Sequence, residues 1–313
     1  MMRLFYLSCL LLFVTGICRA QQYPVFTQYF FNEMAINPAY AGAHVQFSAT
    51  ALYRNQWVNF PGAPRTFSFS AHTALMKNKI GVGLMVNHDE IGSYGNDHVY
   101  GSYAYKIHMG QATLSMGLQA GFTFLGADYS KLSLQHDDPG SFLSMNTFKP
   151  NFGAGLFFNK KNFFVGLSVP FIINSKSNEG GGFEGAITEV IEKRYYMLRS
   201  GVYVPLDRAG KVKMNPSFLL RSQEGQPLSI DINNSFIFYD IFSIGAAWRS
   251  GDSFIGFLDL KLTDKIHFAY SYDWTTSALN KFSNGSHEFI LNFRSIIRGV
   301  HKNPECPQYY SYR

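Results

Sequence analysis

The chain is expected to be all-β, a transmembrane antiparallel β-barrel of about fourteen strands of the kind that crosses an outer membrane. Three observations predict this fold. From Val45 onward, apolar and small polar residues alternate with period two; several of the alternating segments are long; and the connections between them run long and short in turn.

Composition agrees with a barrel wall. Of 313 residues, 46% are hydrophobic and 17% aromatic, yet only 15% are charged, against roughly 25% in ordinary soluble domains. A wall whose every second side chain faces lipid has this balance, and its mean hydropathy stays near zero, here −0.07.

Residues 1–20 read as a secretory signal. Arg3 supplies the positive start, Leu4 to Val14 the apolar run, and Cys18-Arg19-Ala20 the cleavage point. Ile17 before Cys18 disfavours acylation of that cysteine. No apolar run of about 18 residues follows, so no membrane-crossing helix is expected. With Cys9 and Cys18 in the signal, Cys306 is left as an unpaired tail thiol or an intermolecular bridge.

Residues 21–43 form a periplasmic N-terminal segment before the barrel. Phe26, Tyr29, Phe30, Phe31, Met34 and Ile36 make it aromatic-rich, and Asn37-Pro38 stops any helix. Three placements are open to it: inside the lumen, across the periplasmic mouth, or against a partner.

The barrel itself is expected over residues 44–295. In the first strand Val45, Phe47, Ala49, Ala51 and Tyr53 share one face, and Gln46, Ser48, Thr50 and Arg54 the other. Phe67 and Phe69 alternate with Thr66, Ser68, Ser70 and His72, and Leu114, Met116 and Leu118 with Thr113, Ser115, Gly117 and Gln119. A soluble sandwich alternates too. Length separates the two, because soluble strands average about 5–6 residues and membrane strands need about 9–11. Ala112–Gly126, Lys193–Leu206 and Ile266–Thr275 are of the longer kind. Gly117, Gly121, Gly153, Gly155 and Gly166 recur on the non-lipid face, where glycine marks bending or close approach.

The connections give the orientation. Asn55–Arg65, His88–His98, Ala127–Lys149 and Asn174–Glu192 read as long loops, while Met76–Lys79, His108–Gln111 and Asn159–Asn162 read as tight turns. The alternation weakens after Asp207–Lys211 but returns at Thr276–Ser286, before a last strand His287–Arg294. Long outer loops and short periplasmic turns put both chain ends in the periplasm, with 296–313 as a tail there.

No catalytic constellation is present, so no enzyme, cofactor or metal is expected: there is no G-x-S-x-G elbow, H-E-x-x-H or P-loop. Asp89-Glu90 and Asp137-Asp138 read as solvated loop carboxylates rather than a calcium site. His88, His98 and His136 read as loop histidines, and Gly180 to Gly182 as loop. Ile187 to Ile191 fits a helical turn or a short plug element. The net charge of +6 is scattered, without a basic helix or run, so nucleic acid is not an expected partner.

One window is more specific. Gln28-Tyr29-Phe30-Phe31-Asn32, Asn37-Pro38-Ala39-Tyr40-Ala41-Gly42, Arg54-Asn55-Gln56-Trp57, Phe60-Pro61-Gly62-Ala63-Pro64 and Thr66 occur in this order. The series resembles the opening of the PorP/SprF family of the type IX secretion system. The resemblance implies a non-enzymatic outer-membrane barrel that helps secrete, or attach to the surface, a cargo protein such as a gliding adhesin. Partners would be other type IX components, a cargo with a C-terminal (type B) targeting domain, and outer-membrane lipid. Candidate partner-binding residues are Gln28, Tyr29, Asn37, Pro38, Tyr40, Gly42, Arg54, Trp57, Phe60, Pro61, Gly62, Pro64 and Arg65. The tail beyond Arg298 departs from barrels that end on an aromatic. A substrate-specific or passive porin is the alternative reading.

Overall fold

The computed structural model describes residues 26–44, 46–127, 145–173, 176–179, 188–191 and 194–296. The first seven strands are β1 Phe47–Asn55, β2 Arg65–Leu75, β3 Ile80–Ile91, β4 Tyr94–Met109, β5 Ala112–Ala127, β6 Met145–Lys160 and β7 Phe163–Val169. A separate two-stranded hairpin follows, β8 Lys176–Glu179 with β9 Thr188–Ile191. The wall resumes with β10 Tyr195–Val202, continued past Tyr203 by the short β11 Val204–Pro205. It is completed by β12 Val212–Gln223, β13 Ser229–Phe238, β14 Phe242–Arg249, β15 Ser253–Lys261, β16 Ile266–Thr275 and β17 Ser286–Ser295.

Neighbouring wall strands pair antiparallel. β1 also pairs with β17 and β10 with β12, which closes the sheet into a ring of fourteen strands when β8, β9 and β11 are left aside. Closure removes the unpaired edges that an open sheet would expose to lipid. We call the end where β1 starts and β17 finishes the near end, and the opposite one the far end.

Alternation sorts the two faces as expected. Ser48, Thr50, Leu52 and Arg54 of β1 are buried inside, as are Thr66, Ser68, Ser70 and His72 of β2, whereas Phe67, Phe69 and Leu118 point outward and are exposed. Tyr53, Phe254 and Trp274 form part of an exposed aromatic belt toward the far end, and Tyr105, Phe163 and Phe293 one toward the near end. Near-end turns are tight. Tyr239 and Asp240 have φ of 56° and 54°, the left-handed pair that suits a hairpin between twisted strands.

Three expectations need correction. His88–His98 is no loop: β3 and β4 pair as far as Ile91 with Tyr94, so only Gly92 and Ser93 turn the chain. The polar residues there alternate as strand residues do. Asp89 faces inward and accepts from Thr66, while exposed His88 meets Asp97 at 2.7 Å and buried His98 reaches Thr123 at 2.8 Å. Thr188–Ile191 is a strand paired with Lys176–Glu179, not a helical turn. Lys149 lies within β6, because the β5–β6 ladder continues to Ala127 opposite Met145. His136, Asp137, Asp138 and Gly180 to Gly182 lie outside the described residues.

Candidate functional site

The described part of the N-terminal segment, residues 26–44, lies inside the barrel ring. Its first residues sit at the far end and its last at the near end, so the chain descends through the lumen before β1 carries it back up.

Asn37 begins the tightest part. Its side-chain oxygen accepts from the Ala39 amide at 2.9 Å, capping a single 3-10 turn, Pro38–Tyr40, with proline in first position. Its amide nitrogen donates to the Leu156 carbonyl of β6 at 3.0 Å. Gly42, at φ +64°, then bends the chain toward β1. Opposite this turn the wall is made of glycines. A Cβ on Gly117 would overlap the backbone of Pro38 and Ala39, one on Gly155 the Asn37 side chain, and one on Gly81 the Ala41 carbonyl. The glycines seen in the sequence therefore form a track into which the 37–42 turn is pressed. Tyr40 closes the packing, with its ring edge-on to Phe157 at 5.5 Å and to His72 at 5.8 Å.

Buried charges hold the far-end half. The Glu288 carboxylate accepts from the Thr27 amide at 2.9 Å, the Gln28 amide at 2.8 Å and Arg54 Nη1 at 3.1 Å. Arg54 also donates to Asp273 at 2.7 Å and to the Thr27 hydroxyl at 2.6 Å, and that hydroxyl donates to Asp273 at 2.7 Å. Arg249 forks onto Asp231 and reaches the Phe26 carbonyl at 3.3 Å; Arg221 shares Asp231. Deeper in, Arg199 pairs with Glu33 of the segment and lies over the rings of Tyr29 and Phe164, at 5.2 and 4.8 Å. The Asn32 amide donates to Ser68 at 3.0 Å. These pairs are shielded from water and salt, so they are little screened. Removing one partner of a pair costs more than at a surface bridge, because the other charge is left buried.

The result is a filled lumen. Tyr29, Met34, Ala35, Ala39, Tyr40 and Ala41 are all buried. A cavity of about 30 Å³ lies between Phe30, Tyr40 and the polar wall of β12–β15 and β17, room for one or two waters. Among the described residues no cluster of three His, Cys, Asp or Glu has metal-binding proximity.

The candidate partner residues therefore divide. Gln28, Tyr29, Asn37, Pro38, Tyr40, Gly42 and Arg54 are buried, and the contacts just described tie the segment to its own barrel. The others lie in or beside the far-end connection between β1 and β2. Phe60 is 37% exposed, Pro61, Gly62 and Arg65 are exposed, Trp57 is half-buried and Pro64 is buried. That loop is tied down. The Val58 amide donates to the Gly285 carbonyl and the Val58 carbonyl accepts from the Asn284 amide, at 2.9 Å each, and the Gly92 amide donates to the Gly62 carbonyl at 3.1 Å. Thr27, Glu33, Arg199, Asp231, Arg249, Asp273 and Glu288 escaped sequence reasoning. For Arg199, Asp231, Arg249, Asp273 and Glu288 the signal was there: charges at inward positions of strands in a chain with few charges.

Among solved structures, the CymD monoaromatic hydrocarbon channel aligns at 10% identity over 91% of this chain and 96% of its own, with a TM-score of 0.51. An outer membrane protein of Acinetobacter baumannii aligns at 10% identity over 81% of this chain and all of its own, with a TM-score of 0.47. A Pseudomonas aeruginosa FadL homologue aligns at 10% identity over 83% and 92%, with a TM-score of 0.46. At such identity CymD supports the barrel fold and nothing more. No curated protein matches the chain. Residues 18–293 match the model of the type IX secretion system membrane protein PorP/SprF, and the chain belongs to that family of outer-membrane barrels.

Proposed function

We propose that this barrel serves a specific secreted cargo protein, such as a gliding adhesin with a C-terminal (type B) targeting domain, by helping its secretion or holding it at the surface. The far end faces the cell exterior and the near end the periplasm. The observation that carries this reading over a porin is the filled lumen. Its occupant is anchored along its length by buried ion pairs and a glycine track. A barrel so closed offers its outer surface for contact. There the β1–β2 loop presents exposed Phe60 and Pro61 and half-buried Trp57, braced by backbone bonds to two neighbouring connections. A braced loop loses little conformational freedom on binding, and aromatic and arginine side chains tend to dominate protein interfaces.

Two experiments test this. In a Cys306→Ser background, Phe60→Cys is expected to react with a membrane-impermeant maleimide on intact cells, and Met76→Cys in the near-end turn is not. Reaction at position 76 alone would invert the orientation. The double variant Trp57→Ala, Phe60→Ala is expected to leave the barrel assembled and lower surface retention of one secreted protein by about tenfold, the loss of one or two interface anchors. An unchanged surface proteome with altered solute uptake would replace the cargo reading with a porin.

A further inference from the structure

The wall is uneven at the far end. β7 stops at Val169, opposite Ala154, while β6 runs on to Met145. Pro170 follows β7, and the chain turns into the lumen. The Pro170 carbonyl accepts from Gln119 at 2.7 Å, Phe171 packs on Tyr100, and the Asn151 side chain accepts the amides of Ile172 and Ile173. Among the described residues no strand therefore lies along the β7 side of β6 beyond Asn151. The Phe152 carbonyl accepts from Ile172 on that side at 2.8 Å. Backbone direction alternates along a strand, so the Phe148 amide and carbonyl and the Pro150 carbonyl point the same way, with no strand among the described residues to meet them.

A second observation sits beside this edge. Lys149 faces the lumen, is 5% exposed, and its ammonium has no hydrogen-bond partner. Arg54, Arg199, Arg221 and Arg249 all face carboxylates, and Lys106 reaches the Gly42 carbonyl and Asn78. Thr123, directly opposite Lys149 on β5, is already bonded to His98 and Tyr100. At the base of the notch, exposed Arg194 donates to the Ile172 carbonyl, adding a second positive charge. A buried ammonium without a partner is costly, so this position favours pairing with an anion.

We propose that the edge of β6 around Phe148–Pro150, which no described strand covers, receives an extended acidic segment of the protein partner as an added strand, with an Asp or Glu opposite Lys149. Strand addition uses main-chain bonds for affinity and alternate side chains for selection. A residue directly across from Lys149 would lie on the same face, within reach of its ammonium. Pro150 removes one donor from the edge, which shortens the segment that pairs and disfavours unspecific sheet growth. The inference rests on the far end being a protein-docking surface, but its test needs no cargo.

Purified full-length protein in detergent is titrated with a short fluorescent peptide alternating valine and glutamate. Saturable binding is expected, with none for the valine–lysine counterpart or for the acidic peptide N-methylated at alternate amides. Lys149→Met should weaken binding by about tenfold or more, as loss of a buried charge partner does, and Lys149→Arg should restore it. Hydrogen exchange at the Phe148 amide should be fast without peptide and slow with it. Equal binding of the two peptides, or none, overturns the proposal. So does a Phe148 amide already slow without peptide, since the chain itself would then cover the edge, or displacement of the peptide by phospholipid vesicles. None of these outcomes bears on the Trp57 and Phe60 loop, whose failure is read from surface retention.

Discussion

Replacing Gly117 with alanine is expected to drive the N-terminal segment out of the lumen while leaving the barrel wall standing. The new methyl would overlap the backbone of Pro38 and Ala39, and neither side has a flexible side-chain end that moves aside. Overpacking of this kind costs about 1–3 kcal/mol, and the rigidity of both partners puts Gly117 at the upper end. Adding Gly155→Ala removes the seat of Asn37 as well. The wall itself gains, since alanine within a strand is about 0.5–1 kcal/mol better than glycine. The two effects have opposite signs, so the variant separates segment from wall. Purified Gly117→Ala, Gly155→Ala protein should conduct in planar bilayers where the parent is closed, and chymotrypsin should cut at Phe30 and Phe31. Gly256→Ala is the control: it makes the same strand change with open space around its Cβ. If the double variant stays closed and resists chymotrypsin like the parent, the glycine track does not seat the segment.

How much of this was legible follows from the range of each interaction. The wall was legible because alternation is local. Each of Phe67, Ser68, Phe69 and Ser70 declares its face by contrast with its neighbour, and Ile266–Thr275 was bounded correctly from sequence. The far-end connection at Gly92 was misread because Asp89, Glu90 and Asp97 suggest a solvated loop by composition. They are strand residues because β3 and β4 outrun the described length of β1 and pair with each other. The segment's place was legible only in outline. Aromatic residues before a barrel announce that something is to be buried, but its partners are remote in sequence. Thr27 bonds Glu288 across 261 positions, and Arg54 reaches Asp273 across 219. Nothing local predicts such a pair. The repeated inward glycines carried a readable clue to the segment's seat, since Gly117 and Gly155 weaken a strand for no local gain. Their reason was the backbone turn at Asn37–Gly42.

Glu288→Ala is expected to release the same segment from its other end. Glu288 is fully buried and gathers three donors, the amides of Thr27 and Gln28 and one nitrogen of Arg54. Alanine leaves two backbone amides without acceptors and leaves Arg54 with Asp273 as its carboxylate and the Thr27 hydroxyl beside it. Breaking a buried ion pair from one side costs about 3–5 kcal/mol, and each orphaned amide adds about 1–3 kcal/mol. That total exceeds what a short segment can absorb, but it barely touches the wall. β17 keeps its backbone ladders to β1 and β16, in which Glu288 contributes only main-chain atoms. The folded barrel should therefore still resist detergent at room temperature, while chymotrypsin cuts the segment and conductance appears. Glu288→Gln retains one acceptor oxygen but turns an amide group toward the cluster, so it should fall between parent and alanine. The parent's closure should also persist in concentrated salt, because buried pairs are little screened. A surface bridge of the same geometry would loosen there. Loss of the whole barrel in Glu288→Ala, with no state in which the segment alone is free, would mean that segment and wall form one cooperative unit and that the lumen has no separable plug.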